Sequence, residues 1–350
     1  MRADEFLDGF FEDKLREATK IGDSGNGLIN VPKEMMAFYR EYMRGGKKLR
    51  GALVQLGYEV GGGKKSQVLS VSAAIEIIHA FILMQDDVMD KDDLRRGQLA
   101  IHKQWQQMCE DKLKAHSDSV HFGESLAYAT GDVGTFLGMG LIVESKLPAK
   151  RKLEALSYLN GYLSRIGYGQ GLDLTYELSD HVTEADVMRV HLHKTAHYTI
   201  SGPLKLGGIL AGLGDKQLEA MEKYGEAIGI AFQLKDDELG LFSDDKTLGK
   251  TVGSDIKEDK STILKIKALE LTSQEDKTFL QKTYGNKNLK ETDLKRVQEI
   301  TKNCGALAYS QELTQTLIDK GKKYIPQITD IPEHQDTLTQ LADFITRRNN

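Results

Sequence analysis

The sequence predicts an all-α fold, and three observations predict it. Apolar residues recur at helical spacing almost throughout the 350 residues, period-2 alternation is scarce, and only 5 prolines are present. No Pro/Ser-rich linker divides the chain, so a single helical domain over residues 1–350 is expected. A composition of 40% apolar and 28% charged residues supports a large core, and the net charge of −5 argues against a general nucleic-acid binder.

Taken in order, the first thirteen residues are too acidic for a signal or transit peptide. No uninterrupted apolar stretch approaches bilayer length, Gly134 to Val143 being among the longest, so no membrane span and a cytoplasmic location are expected. Helical spacing predicts helices over 32–44, 48–61, 66–91, 124–144, 150–178, 184–213, 215–240, 261–284, 289–322 and 333–348. Gly61, Gly62 and Gly63 make a turn, and residues 91–103 and 241–259 read as polar loops. Residues 110–119 read as a solvated excursion. Thr183 is placed as the capping hydroxyl of the helix that follows. Inside 184–213 the Gly202-Pro203 pair predicts a kink, and glycines at 202, 207, 208 and 212 allow close helix approach. Cys109 and Cys304 lack metal-motif spacing, and no disulfide is expected.

The chain is organised around Asp86, Asp87 and Asp90, whose i, i+1, i+4 spacing gathers three carboxylates on one side of a helix end. Asp92 and Asp93 follow, and Gly97 is read as the stop. Five acids at a helix C-terminus oppose the backbone dipole, so cations must join them: Arg95 and Arg96, or divalent metal between carboxylate and phosphate. The construction recurs at Asp236 and Asp237, with Gln233 one turn earlier and Gly240 as the end. Two such helices facing each other would make a hard-oxygen cradle suited to Mg2+. Lys47 and Arg50, one helical turn apart, and the Arg95-Arg96 pair suit phosphate oxygens. Lys194 and Thr195, in a helix distorted by Pro203, offer an ammonium and a hydroxyl. Lys250 and Lys260 flank a segment able to close over an anion. His193 and His197 have i, i+4 spacing without the Glu of a zinc-protease motif, so no zinc site is expected.

The motifs Gly45 to Arg50, Glu76 to His79, Asp86 to Asp90, Arg95 to Gly97, Lys194 to Ala196, Phe232 to Asp237 and Gly249 to Ile256 stand in the order found in trans-isoprenyl diphosphate synthases. Over residues 45–265 the chain resembles that family, and within it the archaeal geranylgeranyl diphosphate synthase branch. The resemblance implies a helical bundle of the isoprenoid synthase type around a central substrate cavity. It implies a Mg2+-dependent prenyltransferase joining isopentenyl diphosphate to an allylic diphosphate, most simply to give geranylgeranyl diphosphate. It further implies that Asp86, Asp87, Asp90 and Asp236 hold about three Mg2+ ions on the allylic diphosphate. In the same way Arg95, Lys194, Lys260 and Lys250 would grip that diphosphate, and Lys47, Arg50, His79 and Arg96 would hold isopentenyl diphosphate. Thr195 and Gln233 would line the allylic chain and the developing cation. Released diphosphate serves as base in the family, so no side-chain base is assigned.

Two positions depart from the family pattern. Gly240 replaces the last acid of the second motif, which puts one outer metal contact in question, and Leu99 stands where proline is common. The resemblance also implies that product length depends on Phe81, five residues and about 7.5 Å before Asp86, where an aromatic stops the growing tail; with Ile82 adding no second aromatic, a C20 product is favoured over C15. Farnesyl or longer polyprenyl synthesis, a terpene cyclase and a non-catalytic subunit are the alternatives. Excess apolar face on the helices around 124–144 and 150–178, with the family habit, predicts a homodimer.

Overall fold

A computed structural model describes residues 3–23, 29–113, 118–179, 181–243 and 252–347. Almost every described element is a helix, as the period-3.6 pattern requires. The chain divides into two compact units, Met1–Glu59 with Gly63–Lys152, and Val60–Gly62 with Leu153–Asn350.

The first unit is built around α4 (Leu69–Met89), which follows α1 (Ala3–Gly22), α2 (Val31–Met43) and α3 (Leu49–Val60). Val71, Ala73, Ala74, Ile75, Ile77, Ile78, Ala80 and Met84 of α4 are all buried. A helix apolar on every side must be enclosed. After α5 (Ile101–Lys112) comes α6 (Ser119–Val143), which lies along α4 on a glycine face. A Cβ at Gly134 would meet the Tyr39 hydroxyl at 2.1 Å and its ring at 2.2 Å, and one at Gly138 would meet Ile78 at 2.8 Å, so only glycine allows this approach. The Tyr39 hydroxyl donates to the Ile77 carbonyl at 2.5 Å, and Trp105 Nε1 donates to Thr130 Oγ1 at 3.1 Å.

In the second unit α7 (Ala149–Glu177) leads to α8 (Glu184–Val190), a π-helix (His191–Ser201), α9 (Gly202–Ala211) and the central α10 (Asp215–Phe242). Thr183 caps α8 as expected, its Oγ1 accepting from the Asp186 N–H at 3.3 Å. The C-terminal elements are α11 (Ser254–Lys257), α12 (Ile263–Leu271), α13 (Gln274–Thr283), α14 (Glu291–Asn303), α15 (Ala306–Lys322), α16 (Ile325–Ile328) and α17 (Pro332–Arg347). Ile256, Leu264, Leu280 and Val297 close a core with Leu241 at the end of α10.

The structure corrects several sequence expectations. The stretch 184–213 is three segments rather than one kinked helix. Pro203 has no N–H, and its ring crowds the carbonyl four residues earlier. The backbone responds by widening, the Gly202 N–H reaching back five residues to His197 O. Gly305, at φ +93°, splits the expected 289–322 helix, and the 261–284 helix breaks where Ser273 caps α13. Helix α1 was not expected, although Leu7, Phe11 and Ala18 form its buried stripe. α4 ends at Met89, not at Gly97. Gly97 (φ +76°) and Arg96 (φ +56°) instead form the two-residue turn of a hairpin, β1 (Leu94–Arg95) pairing with β2 (Gln98–Leu99), within the expected loop. Lys47 precedes α3, and Lys48 turns left-handed at φ +51°, so Lys47 and Arg50 do not share a helical turn. Helices Lys65–Met89 and Ser119–Val143 are each long and apolar enough to cross a membrane by length and composition, because interrupted runs qualify where unbroken ones do not.

Candidate active site

In the first unit the acid cluster forms where α4 stops. The Asp90 N–H donates to Asp86 O at 2.8 Å, Lys91 turns left-handed, and the hairpin folds Arg95 back over the helix end. Arg95 Nε donates to Asp87 Oδ1 at 2.6 Å and its Nη2 also reaches that oxygen, with Asp92 at 3.3 Å and Asp86 at 3.8 Å. The Tyr42 hydroxyl donates to the other oxygen, Asp87 Oδ2, at 3.3 Å. Both oxygens of Asp87, whose side chain is 0% exposed, are thereby engaged. Asp86 and Asp90 remain half-buried at the tip. Burial pushes the Asp87 carboxyl up to about 6 against the pull of Arg95.

A second cationic set lies on the same unit. Arg50 Nη1 donates to His79 Nε2 at 3.1 Å, and burial with the charge of Arg50 and Arg96 holds the His79 imidazole well below its usual range. It is therefore neutral near pH 7. Arg96 packs over the Tyr42 ring at 5.7 Å and donates to Tyr42 O at 3.2 Å. His79, Arg96, Lys48, Glu76 and Tyr42 line one small pocket. Glu76 shapes it by accepting from the Gly51 N–H at 2.7 Å. Lys47 is exposed and does not line it. Lys48, Tyr42 and Glu76 escaped the sequence reading, although Glu76 and Lys48 stand inside the motifs quoted above.

In the second unit the π-helix is held between glycines. A Cβ at Gly169 of α7 would lie 2.5 Å from Lys194 N, and one at Gly229 of α10 would lie 2.5 Å from Ala196 Cα. That proximity lets Lys194 Nζ pair with Asp173 Oδ2 at 2.6 Å and Thr195 Oγ1 donate to Gln233 Oε1 at 2.9 Å. Gln233 Nε2 in turn donates to Asp237 Oδ1 at 2.7 Å, and His191 Nε2 lies 3.3 Å from Asp237 Oδ2. Asp237 is buried, whereas Asp236, on the neighbouring side of α10, is half-buried. Lys260 lies 3.7 Å from Glu258. Lys250 lies outside the described residues. His191 was missed because a histidine three residues before a lysine carries no motif of its own.

Phe81 stands on α4 between the apolar core and the acid tip, half-buried. A Cβ on Gly131 of α6 would lie 2.8 Å from its ring, so the ring fills space that glycine leaves. Ile82 is likewise half-buried beside it.

The family described as polyprenyl synthetase matches residues 32–301. A short chain isoprenyl diphosphate synthase of Methanothermobacter thermautotrophicus is 32% identical over 97% of this chain and 98% of its own. A geranylgeranyl diphosphate synthase of Sulfolobus acidocaldarius is 32% identical over 97% and 99%. Among solved structures, a geranylgeranyl pyrophosphate synthase of Corynebacterium glutamicum, complexed with isoprenyl diphosphate and magnesium, superposes with a TM-score of 0.88 at 28% identity, covering 99% of this chain and all of that one.

Proposed function

Because the chain belongs to the polyprenyl synthetase family, we propose that it is a Mg2+-dependent trans-prenyltransferase that extends an allylic diphosphate with isopentenyl diphosphate, chiefly to geranylgeranyl diphosphate. One observation carries the reading: a pocket lined by His79, Lys48 and Arg96, with Arg50 bonded to His79, sits on the same unit as an acid-tipped helix clamped by Arg95. An enzyme that ionises a single diphosphate has no use for this second cationic set.

The donors fit Mg2+, since the ionisable side chains at the α4 tip, Asp86, Asp87 and Asp90, are carboxylates, with no thiolate or imidazole among them. With both Asp87 oxygens engaged, we assign the metal contacts there to Asp86 and Asp90 and give Asp87 the task of holding Arg95. Asp236 is the corresponding ligand on α10, and Asp237 orients Gln233. About three ions are inferred for the loaded enzyme. When bound, Mg2+ stabilises the charge that builds on departing diphosphate. Arg95, Lys194 and Lys260 add fixed positive charge there, with Lys250 assigned the same role. Arg50, Arg96 and neutral His79 position isopentenyl diphosphate, with Lys48 at the same pocket and Lys47 at its exposed approach. Thr195 and Gln233 present oxygen dipoles to the allylic cation. The family match runs across the boundary of the two units, which supports reading residues 1–350 as a single catalytic domain.

The test is incubation with geranyl or farnesyl diphosphate and Mg2+, with and without isopentenyl diphosphate. Extension only when isopentenyl diphosphate is present, abolished by EDTA, is expected. Hydrocarbon from the allylic diphosphate alone would instead identify a cyclase.

The Phe81 ring is proposed as the stop for the growing chain. Phe81→Ala opens the space beside Gly131 toward buried Ile77 and is expected to lengthen the product by at least one C5 unit, read by chromatography of the dephosphorylated alcohols. An unaltered length profile would return Phe81 to ordinary core.

We further propose a homodimer formed through α6. Its outer side exposes Val133 (37%), Phe136 (73%) and Val143 (54%), one apolar stripe at i, i+3, i+10. Phe136→Lys is expected to halve the mass measured by light scattering. The same reading leaves α4 and α6 as protein-covered helices in a cytoplasmic enzyme: α4 is already buried, and the second copy covers α6.

A further inference from the structure

Tyr42, in the last turn of α2, touches both parts of the site on the first unit. Its hydroxyl donates to Asp87 Oδ2 at 3.3 Å, the oxygen that Arg95 leaves open, and the residue lines the cation pocket with His79, Lys48 and Arg96. The Arg96 guanidinium lies 5.7 Å from the centre of the Tyr42 ring and donates to the Tyr42 carbonyl at 3.2 Å. We propose that Tyr42 is a positioning residue shared by the two diphosphate sites: its hydroxyl sets the Asp87–Arg95 clamp on the allylic side, and its ring seats Arg96 on the isopentenyl side. The inference rests on the assignment of those two sites made above.

The helix end that carries Tyr42 is fixed. Tyr39, one turn earlier and fully buried, donates to the Ile77 carbonyl of α4, and Met43 beside it is also buried. Those contacts hold α2 against α4, the helix on which Asp87 stands. Burial and the Asp87 carboxylate push the Tyr42 phenol well above its usual range, so it stays a hydrogen-bond donor. Beside it the hairpin sends two adjacent arginines to different partners. Arg95 turns back onto Asp87, and Arg96, left-handed at φ +56°, turns onto Gly45 and Gly46. A Cβ at Gly45 would lie 2.9 Å from Arg96 Cδ, and one at Gly46 would lie 2.6 Å from Arg96 Nη2, so the guanidinium occupies a seat that two glycines leave and that the Tyr42 ring adjoins. The contacts close a loop: Tyr42 hydroxyl to Asp87, Asp87 to Arg95, Arg95 to Arg96 along the chain, and Arg96 back to the Tyr42 ring and carbonyl. Loss of the hydroxyl and loss of the ring open that loop at different points, which separates the two roles.

Steady-state kinetics of the full chain with geranyl diphosphate, isopentenyl diphosphate and Mg2+ compare wild type, Tyr42→Phe and Tyr42→Leu, with the Tm measured on each. Tyr42→Phe keeps the ring and is expected to lower kcat about 10-fold, for one hydrogen bond to a charged group, with the KM for isopentenyl diphosphate unchanged. Tyr42→Leu loses the ring as well and is expected to raise that KM about 2–5-fold, at the kcat of Tyr42→Phe. A tyrosine that only packs would not split the two constants in this way. Wild-type kcat in Tyr42→Phe overturns the role of the hydroxyl, and an unchanged KM in Tyr42→Leu overturns that of the ring. A fall in kcat with a rise in KM in both variants, in step with a lowered Tm, overturns both and leaves Tyr42 as packing. No condensation by wild type overturns the assignment of the two sites and this inference with it, whereas each of the preceding outcomes needs an active wild type and leaves that assignment standing.

Discussion

Arg95→Ala is expected to lower the unfolding free energy by about 3–5 kcal/mol, the usual cost of removing one partner from a buried ion pair. Asp87 is fully covered and Arg95 is 19% exposed, so the variant strands a carboxylate with only the Tyr42 hydroxyl, 3.3 Å away. A urea titration reads the loss directly. The double variant Arg95→Ala/Asp87→Asn is expected to regain most of it, because no buried charge remains to be solvated. Turnover should not return with it, since the guanidinium proposed to face departing diphosphate is still missing, a loss of about 10²–10³-fold. A double variant as unstable as the single one would mean that packing of the Arg95 stem, rather than charge, holds the hairpin.

The same carboxylate sets a pH dependence whose sign can be worked out. Burial raises the Asp87 carboxyl to about 6, above the ordinary aspartate value of about 3.9. The folded chain then keeps a proton that the unfolded chain has released. Its contribution to stability is therefore present below about pH 4 and is lost as pH rises to about 6. His197 slopes the other way, since burial, with Arg165 nearby, lowers its imidazole to about 4, and folding is penalised as pH falls below about 6.5. Only a difference isolates Asp87. In EDTA, wild type measured against Asp87→Asn is expected to lose about 2 kcal/mol between pH 4.5 and 7. A difference that moves in favour of wild type would mean that the guanidinium outweighs burial.

What the sequence displayed well was chemistry with a spacing. Asp86 and Asp90, Asp236, and the Arg95-Arg96 pair carry signals that survive without coordinates, because carboxylates at i, i+4 share a helix side in any helix. That Asp87 rather than Asp86 takes the close pairing with Arg95 was not visible. It depends on a hairpin whose strands are two residues each, too short for any alternation to register. Lys48 was hidden for a different reason. Its left-handed backbone and its bond to the Gly45 carbonyl at 3.0 Å arise from the turn, and nothing in a run of two lysines says which one turns inward. Helix α1 had a legible stripe in Leu7, Phe11 and Ala18, overshadowed by the acids between them. The kink at Pro203 was anticipated as a bend, but its resolution into eleven residues of widened helix follows from neighbours, Gly169 on one side and Gly225 and Gly229 on the other.

Those neighbours make Gly169→Ala the variant expected to harm turnover most for the smallest chemical change. The added methyl would sit 2.5 Å from Lys194 N and 2.9 Å from His193 C, both backbone atoms that no rotamer change can move aside. The π-helix must therefore shift away from α7 while Asp173, one turn beyond Gly169, still holds Lys194 at 2.6 Å. Overpacking of this kind costs about 1–3 kcal/mol in stability. A displacement near 1 Å of the residues proposed to face the reacting carbon costs about 100-fold in kcat. Thr195 and Gln233 move with it, since their bond spans the second contact of the π-helix, with α10. Gly167→Ala, two residues earlier on the same helix, is the control: nothing lies within 4 Å of its Cβ position, so relief of glycine entropy should leave it neutral or about 0.5–1 kcal/mol more stable. Steady-state kinetics and thermal unfolding on the pair decide the matter. If Gly169→Ala keeps wild-type kcat, the widened helix tolerates displacement and cannot be what sets the geometry of Lys194 and Thr195.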